Sequence, residues 1–320
     1  MSDSPASDAD SILACEECLS PAEAFSVVGN ETRLSILEAL WRMDRPAAFS
    51  DLRREVEMRD SAQFNYHLSK LTGQFVTKTD DGYDFRSAGR AVIQAVLSGT
   101  INQDPEIEPF EVAGDCVNCG APLEAHYRNE QVRIRCTECG RPHGGYSFPP
   151  GGLEERTPEE LMNAFNQRAR HLSCLSADGV CPECSGRMST HLYDVDDDEV
   201  FDMDVRVEHE CQRCQHSIVS SVGLVLLDDA EIVSFYRDHG IDLNTVPYWT
   251  LEWCVTDNYT TVERRGGPDA NDEWRITLTI PVEDEQLVLD LDGDLNVLDT
   301  ERREARPAGE SLGEERAGGP

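Results

Sequence analysis

Between residues 20 and 100 the apolar side chains recur mostly at helical spacing. Leu34, Leu37 and Leu40 share one side of a helix that the N-cap residue Asn30 begins. Two short segments, FVTKT and YDFR, are separated by the polar turn DDG, an arrangement that is instead typical of a β-hairpin. The predicted elements in order are a helix from Asn30, a short helix at 51–56, a helix at 61–71, a hairpin at 75–86 and a helix from Ser87.

The helix at 61–71 has an apolar side and a polar side. Phe64, Leu68 and Leu71 face inward at helical spacing, which turns amide, hydroxyl, phenol and ammonium groups outward. Such groups pair with base edges and phosphates, whereas a second interpretation is an ordinary solvated helix face. The hairpin adds two basic residues. The candidate DNA-binding residues are Ser61, Gln63, Asn65, Tyr66, Ser69, Lys70, Lys78 and Arg86.

This order of elements resembles the ArsR-type winged helix-turn-helix regulators. The resemblance rests on the segment GNETRLSILEAL at Gly29–Leu40 and on Ser61, His67, Leu68 and Leu71 in the following polar helix. It implies a homodimer on double-stranded DNA, with one recognition helix in each major groove. Many metal-sensing members carry a cysteine pair on the helix before the recognition helix. The corresponding segment here, SDLRREV, has none.

Ten of the twelve cysteines form C-x-x-C pairs, and four of these pairs combine at the spacing of zinc ribbons. Sixteen residues separate Cys119 from Cys136 in the first ribbon, and twenty-six separate Cys184 from Cys211 in the second. Four thiolates close a tetrahedral shell, so we expect two structural Zn²⁺ ions per chain. Redox-active or incidental cysteines are the alternative, and His126, His143, His209 and His216 lie near enough to replace a cysteine. The predicted ligands are Cys116, Cys119, Cys136, Cys139, Cys181, Cys184, Cys211 and Cys214.

Four cysteines remain outside the two ribbons. Cys15 and Cys18 form either half of a regulatory metal or redox site or an exposed pair in a mobile tail. Cys174 and Cys254 are single. The sequence leaves the role of all four open.

The last part of the chain predicts further helices and strands. Thr157 caps a helix between the two ribbons, SIVSSVGLVLL predicts a buried strand, and DAEIVSFYRDHG predicts an amphipathic helix. EWRITLTIPV and QLVLDLDGDLNVL predict antiparallel strands. The layout resembles the uncharacterised carboxy-terminal domain fused to ArsR-like regulators in halophilic archaea, a resemblance that supplies no ligand.

Acidic residues dominate the composition. The chain has 62 acidic against 28 basic residues, a formal charge of −34, and Lys70 and Lys78 are its only lysines. Such a surface is typical of proteins adapted to molar salt, which favours a halophile. Residues 20–100 are nearly neutral, with ten basic and eleven acidic side chains, as expected of a segment that approaches phosphates.

The sequence thus predicts a multidomain α+β protein. It comprises a winged helix-turn-helix, two zinc-ribbon-like units of four cysteines each and a small mixed α/β carboxy-terminal region. The predicted boundaries are a disordered tail at 1–19, the DNA-binding domain at 20–100, a linker at 101–114, a domain at 115–300 with ribbons at 115–145 and 179–220, and a disordered tail at 301–320. No segment is apolar enough to span a membrane, so we expect a cytoplasmic protein.

The leading hypothesis for function is a homodimeric, sequence-specific transcription regulator. The chain has no nucleophile elbow, phosphate loop or H-E-x-x-H motif, so we expect no enzymatic activity. A second hypothesis is an adaptor that contacts the transcription machinery through its winged helix and ribbons. A third, a cysteine-based redox enzyme, requires thiolates of low pKa rather than bound zinc. The operator, the effector and the direction of regulation stay undetermined.

Overall fold

A computed structural model describes residues 19–194, 203, 205–264 and 274–305. The chain divides into two compact units, Met1–Asn102 (unit 1) and Gln103–Pro320 (unit 2). Cys15, Cys18 and nearly all of the predicted amino-terminal tail lie outside the described residues. The described strand pairs of the four sheets are all antiparallel.

Unit 1 combines helices with one hairpin. Its elements are α1 (Pro21–Val28), α2 (Glu31–Arg42), α3 (Phe49–Glu55), α4 (Ser61–Leu71), β1 (Val76–Thr79), β2 (Gly82–Phe85) and α5 (Ser87–Leu97). Asn30 caps α2, as predicted, since its side chain accepts a hydrogen bond from Arg33 N. Helix α1 was not among the predicted elements, although Ser20 and Glu23 begin it with a capping box.

The core of unit 1 forms where the apolar sides of its helices meet the hairpin. Leu37, Leu52 and Phe64, from α2, α3 and α4, are fully buried. A Cβ atom on Gly89 in α5 would lie 2.2 Å from the carbonyl oxygen of Phe75. Glycine at this position therefore lets α5 pack directly against the backbone that leads into β1.

Unit 2 begins with a four-stranded sheet in the order β3-β4-β5-β6. Its strands are β3 (Ile107–Asp115), β4 (Pro122–Arg128), β5 (Gln131–Cys136) and β6 (Pro142–Ser147). The linker predicted at 101–114 is thus largely strand β3. The indole Nε1 of Trp249 donates to the carbonyl oxygen of Ala113 at 2.9 Å. Such long-range pairing, 136 residues apart, gives no local signal in the sequence.

Helix α6 (Pro158–Ala177) joins this sheet to a three-stranded one. Thr157 caps α6 as predicted. The second sheet contains β7 (Met188–Asp194), β8 (Val205–Cys211) and β9 (Ser217–Ser220). The single strand predicted for SIVSSVGLVLL is wrong beyond Ser220, because Ser221 caps the short helix α7 (Val222–Val225).

The remainder of unit 2 is a helical segment and a third sheet. Its elements are α8 (Ala230–Asp238), α9 (Glu252–Val255), β10 (Thr260–Arg264), β11 (Trp274–Val282), β12 (Glu285–Leu291) and β13 (Val297–Glu304). Strand β13 runs four residues into the predicted carboxy-terminal tail, since it pairs with β12. The rest of that predicted tail, from residue 306, lies outside the described residues. Among the described helices, none combines the length and apolar character needed to cross a membrane.

Candidate nucleic-acid interface and metal centres

Helix α4 has two chemically distinct faces. Phe64, Leu68 and Leu71 are buried against the unit 1 core. The six α4 residues predicted to contact DNA are all exposed, and they are Ser61, Gln63, Asn65, Tyr66, Ser69 and Lys70. The periodicity of the sequence therefore gives the correct orientation of this helix.

Local contacts order part of this exposed face. The Lys70 Nζ lies 5.7 Å from the centre of the Tyr66 ring, one helical turn away. The Ser69 hydroxyl donates to the Tyr66 carbonyl oxygen at 2.8 Å. Asp60 caps the helix by accepting from Ala62 N and Gln63 N at 2.8 and 3.1 Å. The exposed face thus presents one aromatic ring and one ammonium side by side.

The hairpin after α4 carries charges of both signs. Lys78 on β1 and Arg86 at the end of β2 are exposed, as predicted for phosphate contacts. The Lys78 Nζ lies 5.9 Å from the centre of the Tyr83 ring. Asp80 and Asp81, at the turn itself, are also exposed. The tip of the hairpin is therefore acidic, and its basic groups lie on or beside the strands.

The first cysteine cluster has the dimensions of a tetrahedral metal site. The Sγ atoms of Cys116 and Cys139 are 3.7 Å apart, and those of Cys119 and Cys136 are 3.4 Å apart. Four sulfurs at about 2.3 Å from a zinc ion are about 3.8 Å from one another, whereas a disulfide is about 2.05 Å long. These separations fit a metal site and exclude disulfides in this arrangement.

The second cluster repeats this geometry in the second sheet. Cys181 and Cys214 are separated by 3.7 Å between their Sγ atoms, and Cys184 and Cys211 by 3.6 Å. In both clusters all four Sγ atoms lie within 4.8 Å of one another. The described residues thus contain two zinc-type sites of four cysteines each, with the eight cysteines that the sequence predicts.

One cysteine of each cluster has a lowered pKa. Burial alone would raise the pKa of Cys136, but backbone N–H groups of Cys139 and Glu138 donate to its Sγ and lower the pKa to about 6. At Cys211 the N–H of Cys214 is the largest influence, and the pKa is again lowered to about 6. A thiolate is the form that binds a metal ion, so these N–H donors favour loading.

The histidines considered as alternative ligands belong to neither group of convergent ligand atoms among the described residues. His143 Nδ1 lies 3.4 Å from the Trp249 carbonyl oxygen, and His209 Nδ1 lies 2.9 Å from Thr190 Oγ1. Both rings are buried, and burial lowers the pKa of each.

The two single cysteines of unit 2 lie outside the clusters. Cys254 is buried and Cys174 is half-buried. Burial raises the pKa of Cys254 well above its ordinary value, and it also raises the pKa of Cys174. Both thiols are therefore less reactive than an exposed cysteine.

Fold and site together define a mixed α/β protein with two zinc-type four-cysteine sites. The chain belongs to the family described as domain of unknown function DUF7351, whose family model matches residues 113–297. A second family, domain of unknown function DUF7347, matches residues 21–96. Searches among curated proteins and among solved structures found no match to the chain.

Proposed function

We propose that this protein is a transcription regulator that binds specific sequences of double-stranded DNA through unit 1, with α4 as the recognition helix. The observation that carries the proposal is the exposed face of α4, where every predicted DNA-binding side chain is exposed while the opposite face is buried. A helix held in this way can enter a major groove without losing its core contacts.

The order of elements in unit 1 supports the same proposal. Helices α2, α3 and α4 are followed by the β1–β2 hairpin and α5, which is the order that a winged helix-turn-helix of ArsR type requires. In this interpretation β1–β2 is the wing. Lys78 on β1 and Arg86 directly after β2 contact phosphates, whereas phosphates repel the acidic turn at Asp80 and Asp81.

The side chains on α4 have complementary roles in this proposal. Gln63 and Asn65 carry amides that pair with adenine, and Lys70 pairs with guanine or a phosphate. Tyr66 contacts a phosphate or a thymine methyl group. A chain of net charge −34 gains little affinity for DNA from charge alone, because the phosphates are also negative. Base contacts and shape therefore supply a larger share, especially in the molar salt of the halophile cytoplasm that we propose as its location.

We propose that the regulator acts as a homodimer. Large apolar side chains are exposed in α1, at the end of α5 and four residues after it, where Phe25, Leu97 and Ile101 are 76%, 51% and 68% exposed. Apolar groups exposed to this extent are typical of surfaces that a partner covers. Sedimentation velocity should show a dimer for the wild type and a monomer for Leu97→Glu combined with Phe25→Ser. A monomeric wild type contradicts the dimer, and a variant that stays dimeric contradicts this interface.

The proposal assigns Zn²⁺ to both four-cysteine sites as a structural ion. Four protein ligands leave no open position for a substrate, so the ion holds the strands together and performs no chemistry. Unit 2 then serves as the part that receives a signal or contacts another protein, and the protein is not an enzyme. Elemental analysis of purified protein, with two zinc ions per chain expected from the two sites, tests this assignment.

A selection from random duplex DNA tests DNA binding directly. Purified protein, at salt concentrations up to and above about 1 M KCl, should enrich a palindromic motif. Tyr66→Ala combined with Lys70→Ala should weaken binding to that motif by about ten-fold or more, because each base contact contributes roughly 1–3 kcal/mol. Asp80→Asn with Asp81→Asn should instead strengthen binding by removing repulsion at the hairpin turn.

Arg42→Ala is the matched control, since it removes one exposed positive charge from α2 rather than from α4. It should change affinity far less than the α4 variant. Enrichment of no motif, or equal loss in the control, contradicts the proposal and favours an adaptor that contacts the transcription machinery. The strongly acidic composition and the acidic hairpin turn are the observations that favour this second function. An affinity that collapses above about 1 M KCl contradicts the dominance of base contacts.

A further inference from the structure

Unit 2 contains a cavity of about 60 Å³ between its two cysteine-bearing sheets. Its walls come from β6, from Met203 and the start of β8, from the junction of β9 with α7, and from the segment Tyr248–Val255. Strands β6 and β9 begin three residues after Cys139 and Cys214, respectively, so one wall lies next in the chain to each four-cysteine site.

Apolar side chains form much of the lining, with a few polar groups among them. Val219, Leu224 and Val255 supply apolar surface. His143, Ser220 and Tyr248 line the cavity as well, and only 2%, 6% and 1% of their surfaces are exposed. An apolar pocket with a few polar groups is the usual composition of a small-molecule site.

These three polar residues each have one buried atom without a hydrogen-bond partner among the described residues: His143 Nε2, Ser220 Oγ and Tyr248 Oη. Buried polar atoms are nearly always paired, and leaving one unpaired costs about 1–3 kcal/mol. Three such atoms around one cavity therefore indicate that something else satisfies them. A bound molecule does this most directly, because all three residues line the same cavity.

The hydrogen-bonding roles of these groups follow from their surroundings. His143 Nδ1 faces the Trp249 carbonyl oxygen at 3.4 Å, so Nδ1 carries the proton and donates. Burial lowers the pKa of His143 and keeps the ring neutral, which leaves Nε2 as an acceptor. The hydroxyl groups of Tyr248 and Ser220 are available to donate.

The close approach of the Tyr248 hydroxyl to β6 depends on glycine. A Cβ atom on Gly144 would lie 2.1 Å from Tyr248 Oη, and Gly144 has a φ of +150°. A residue with a side chain would displace the phenol and would also be strained. The position of Tyr248 is thus built into the backbone of β6.

We propose that this cavity binds a small, neutral molecule with an amide or lactam group. Its N–H donates to His143 Nε2, and its carbonyl oxygen accepts from Tyr248 or Ser220. A cation is disfavoured because none of the described lining residues is acidic and Arg206 lies in the wall. A carboxylate is disfavoured because it offers no donor to His143. The proposal is independent of DNA binding by unit 1.

Binding of 2-pyridone, a planar lactam, tests the proposal in the full-length, metal-loaded protein. Ligand-observed NMR or calorimetry should detect its binding, with benzene and benzoate binding much more weakly. Tyr248→Phe should weaken the binding of 2-pyridone about five-fold or more, since it removes one hydrogen bond. The same substitution should not lower the melting temperature, because the Tyr248 hydroxyl has no partner within the described part of the chain. Ser220→Val should also weaken binding.

Tyr127→Phe is the matched control. The Tyr127 hydroxyl donates to the Phe148 carbonyl oxygen at 2.8 Å, so its removal should lower stability and leave the affinity for 2-pyridone unchanged. Metal content of two ions per chain verifies the fold of each variant. The proposal is overturned if 2-pyridone does not bind, if benzene or benzoate binds as tightly, or if the Tyr248 and Ser220 variants bind like the wild type.

Discussion

Arg170 is a buried cation that connects distant parts of unit 2. Only 1% of its side chain is exposed, against 23% for its ion-pair partner Asp228. Its guanidinium also donates to the Leu243 carbonyl oxygen at 2.7 Å and to Asn244 Oδ1 at 3.4 Å. These contacts hold α6 against the segments before α8 and after it. A buried charge is tolerated here because Nη1 donates to the Leu243 carbonyl oxygen and Nη2 donates to the Asp228 carboxylate.

Arg170→Met should lower the free energy of unfolding of unit 2 by about 3 kcal/mol, because the substitution leaves Asp228 and the Leu243 carbonyl without this partner. Urea unfolding followed by tryptophan fluorescence measures this loss. Arg135→Met is the comparison, since Arg135 pairs with Glu124 while half exposed. It should cost less than about 1 kcal/mol. Similar losses in the two variants contradict the role assigned to Arg170.

His143 should make the stability of unit 2 dependent on pH. Burial lowers its pKa below the ordinary value of 6.5, so the unfolded chain takes up a proton at a pH where the folded protein does not. Its contribution to stability is therefore complete above about pH 6.5 and is lost as the pH falls toward the folded pKa.

Urea unfolding at about pH 7 and about pH 5.5, on either side of the ordinary histidine pKa, measures this effect with excess metal ion present. His143→Gln should lose less stability between the two pH values than the wild type does. His126 and His209 are affected by burial in the same direction, so part of the dependence persists in the variant. An equal loss in wild type and variant shows that His143 does not titrate in this way.

At the scale of the element, α4 separates stability from recognition. Leu68 is 1% exposed and Tyr66 is 57% exposed, although they are only two residues apart. The buried face anchors the helix in the unit 1 core, while the exposed face is free to meet a ligand. Substitutions on the two faces should therefore have different consequences.

Leu68→Ala should destabilise unit 1 by about 2–5 kcal/mol, because it leaves a cavity in the core. Tyr66→Ala should change stability by no more than about 0.5 kcal/mol. Thermal unfolding followed by circular dichroism distinguishes the two variants. Destabilisation by Tyr66→Ala comparable to that by Leu68→Ala contradicts the assignment of the Tyr66 side to a binding surface.

At the scale of the whole molecule, the second four-cysteine site replaces part of a hydrophobic core, whereas Cys116 and Cys136 of the first site lie within the large core of unit 2. Each site joins two turns that are far apart in sequence, and the core cluster around Cys181 and Cys211 is small. A structural zinc ion contributes about 10 kcal/mol or more to the folding of isolated zinc-finger peptides. The metal is therefore expected to be required for the fold of the two cysteine-bearing sheets of unit 2.

Removal of the metal by a strong chelator at neutral pH should unfold the two cysteine-bearing sheets of unit 2 and leave the helices of unit 1 folded. Limited proteolysis with peptide mapping measures this, with cleavage expected first around residues 116–139 and 181–214. Cys174→Ser is the control, since Cys174 lies outside both clusters and its substitution should leave the metal content unchanged. Unit 2 that resists proteolysis without metal contradicts a structural role for the ion.

Several features were predictable because they depend on short stretches of chain. The orientation of α4 follows from Phe64, Leu68 and Leu71 at helical spacing, and the grouping of the eight cysteines follows from the C-x-x-C pattern. The caps at Asn30 and Thr157 are likewise local hydrogen bonds. In these cases the residues that decide the structure are neighbours in the sequence.

Other features were decided only by the tertiary structure. The segment predicted as a linker is largely strand β3, because it pairs with β4 and receives a hydrogen bond from Trp249. The apolar run after Ser220 becomes α7 rather than a strand. A Cβ atom on Gly223 would lie 1.8 Å from the Trp253 carbonyl oxygen, so the helix packs directly on α9.

The cavity of unit 2 belongs to the same category. His143, Ser220 and Tyr248 lie on separate elements, and nothing in their sequence neighbourhoods indicates that they line one space. By itself, the sequence determined the buried and exposed faces of helices such as α4, the caps that begin α2 and α6, and which cysteines group together, since periodicity and ligand spacing act over a few residues. The tertiary structure decided where the chain pairs over long distances and where buried polar groups meet, because such contacts depend on the packing of the whole unit.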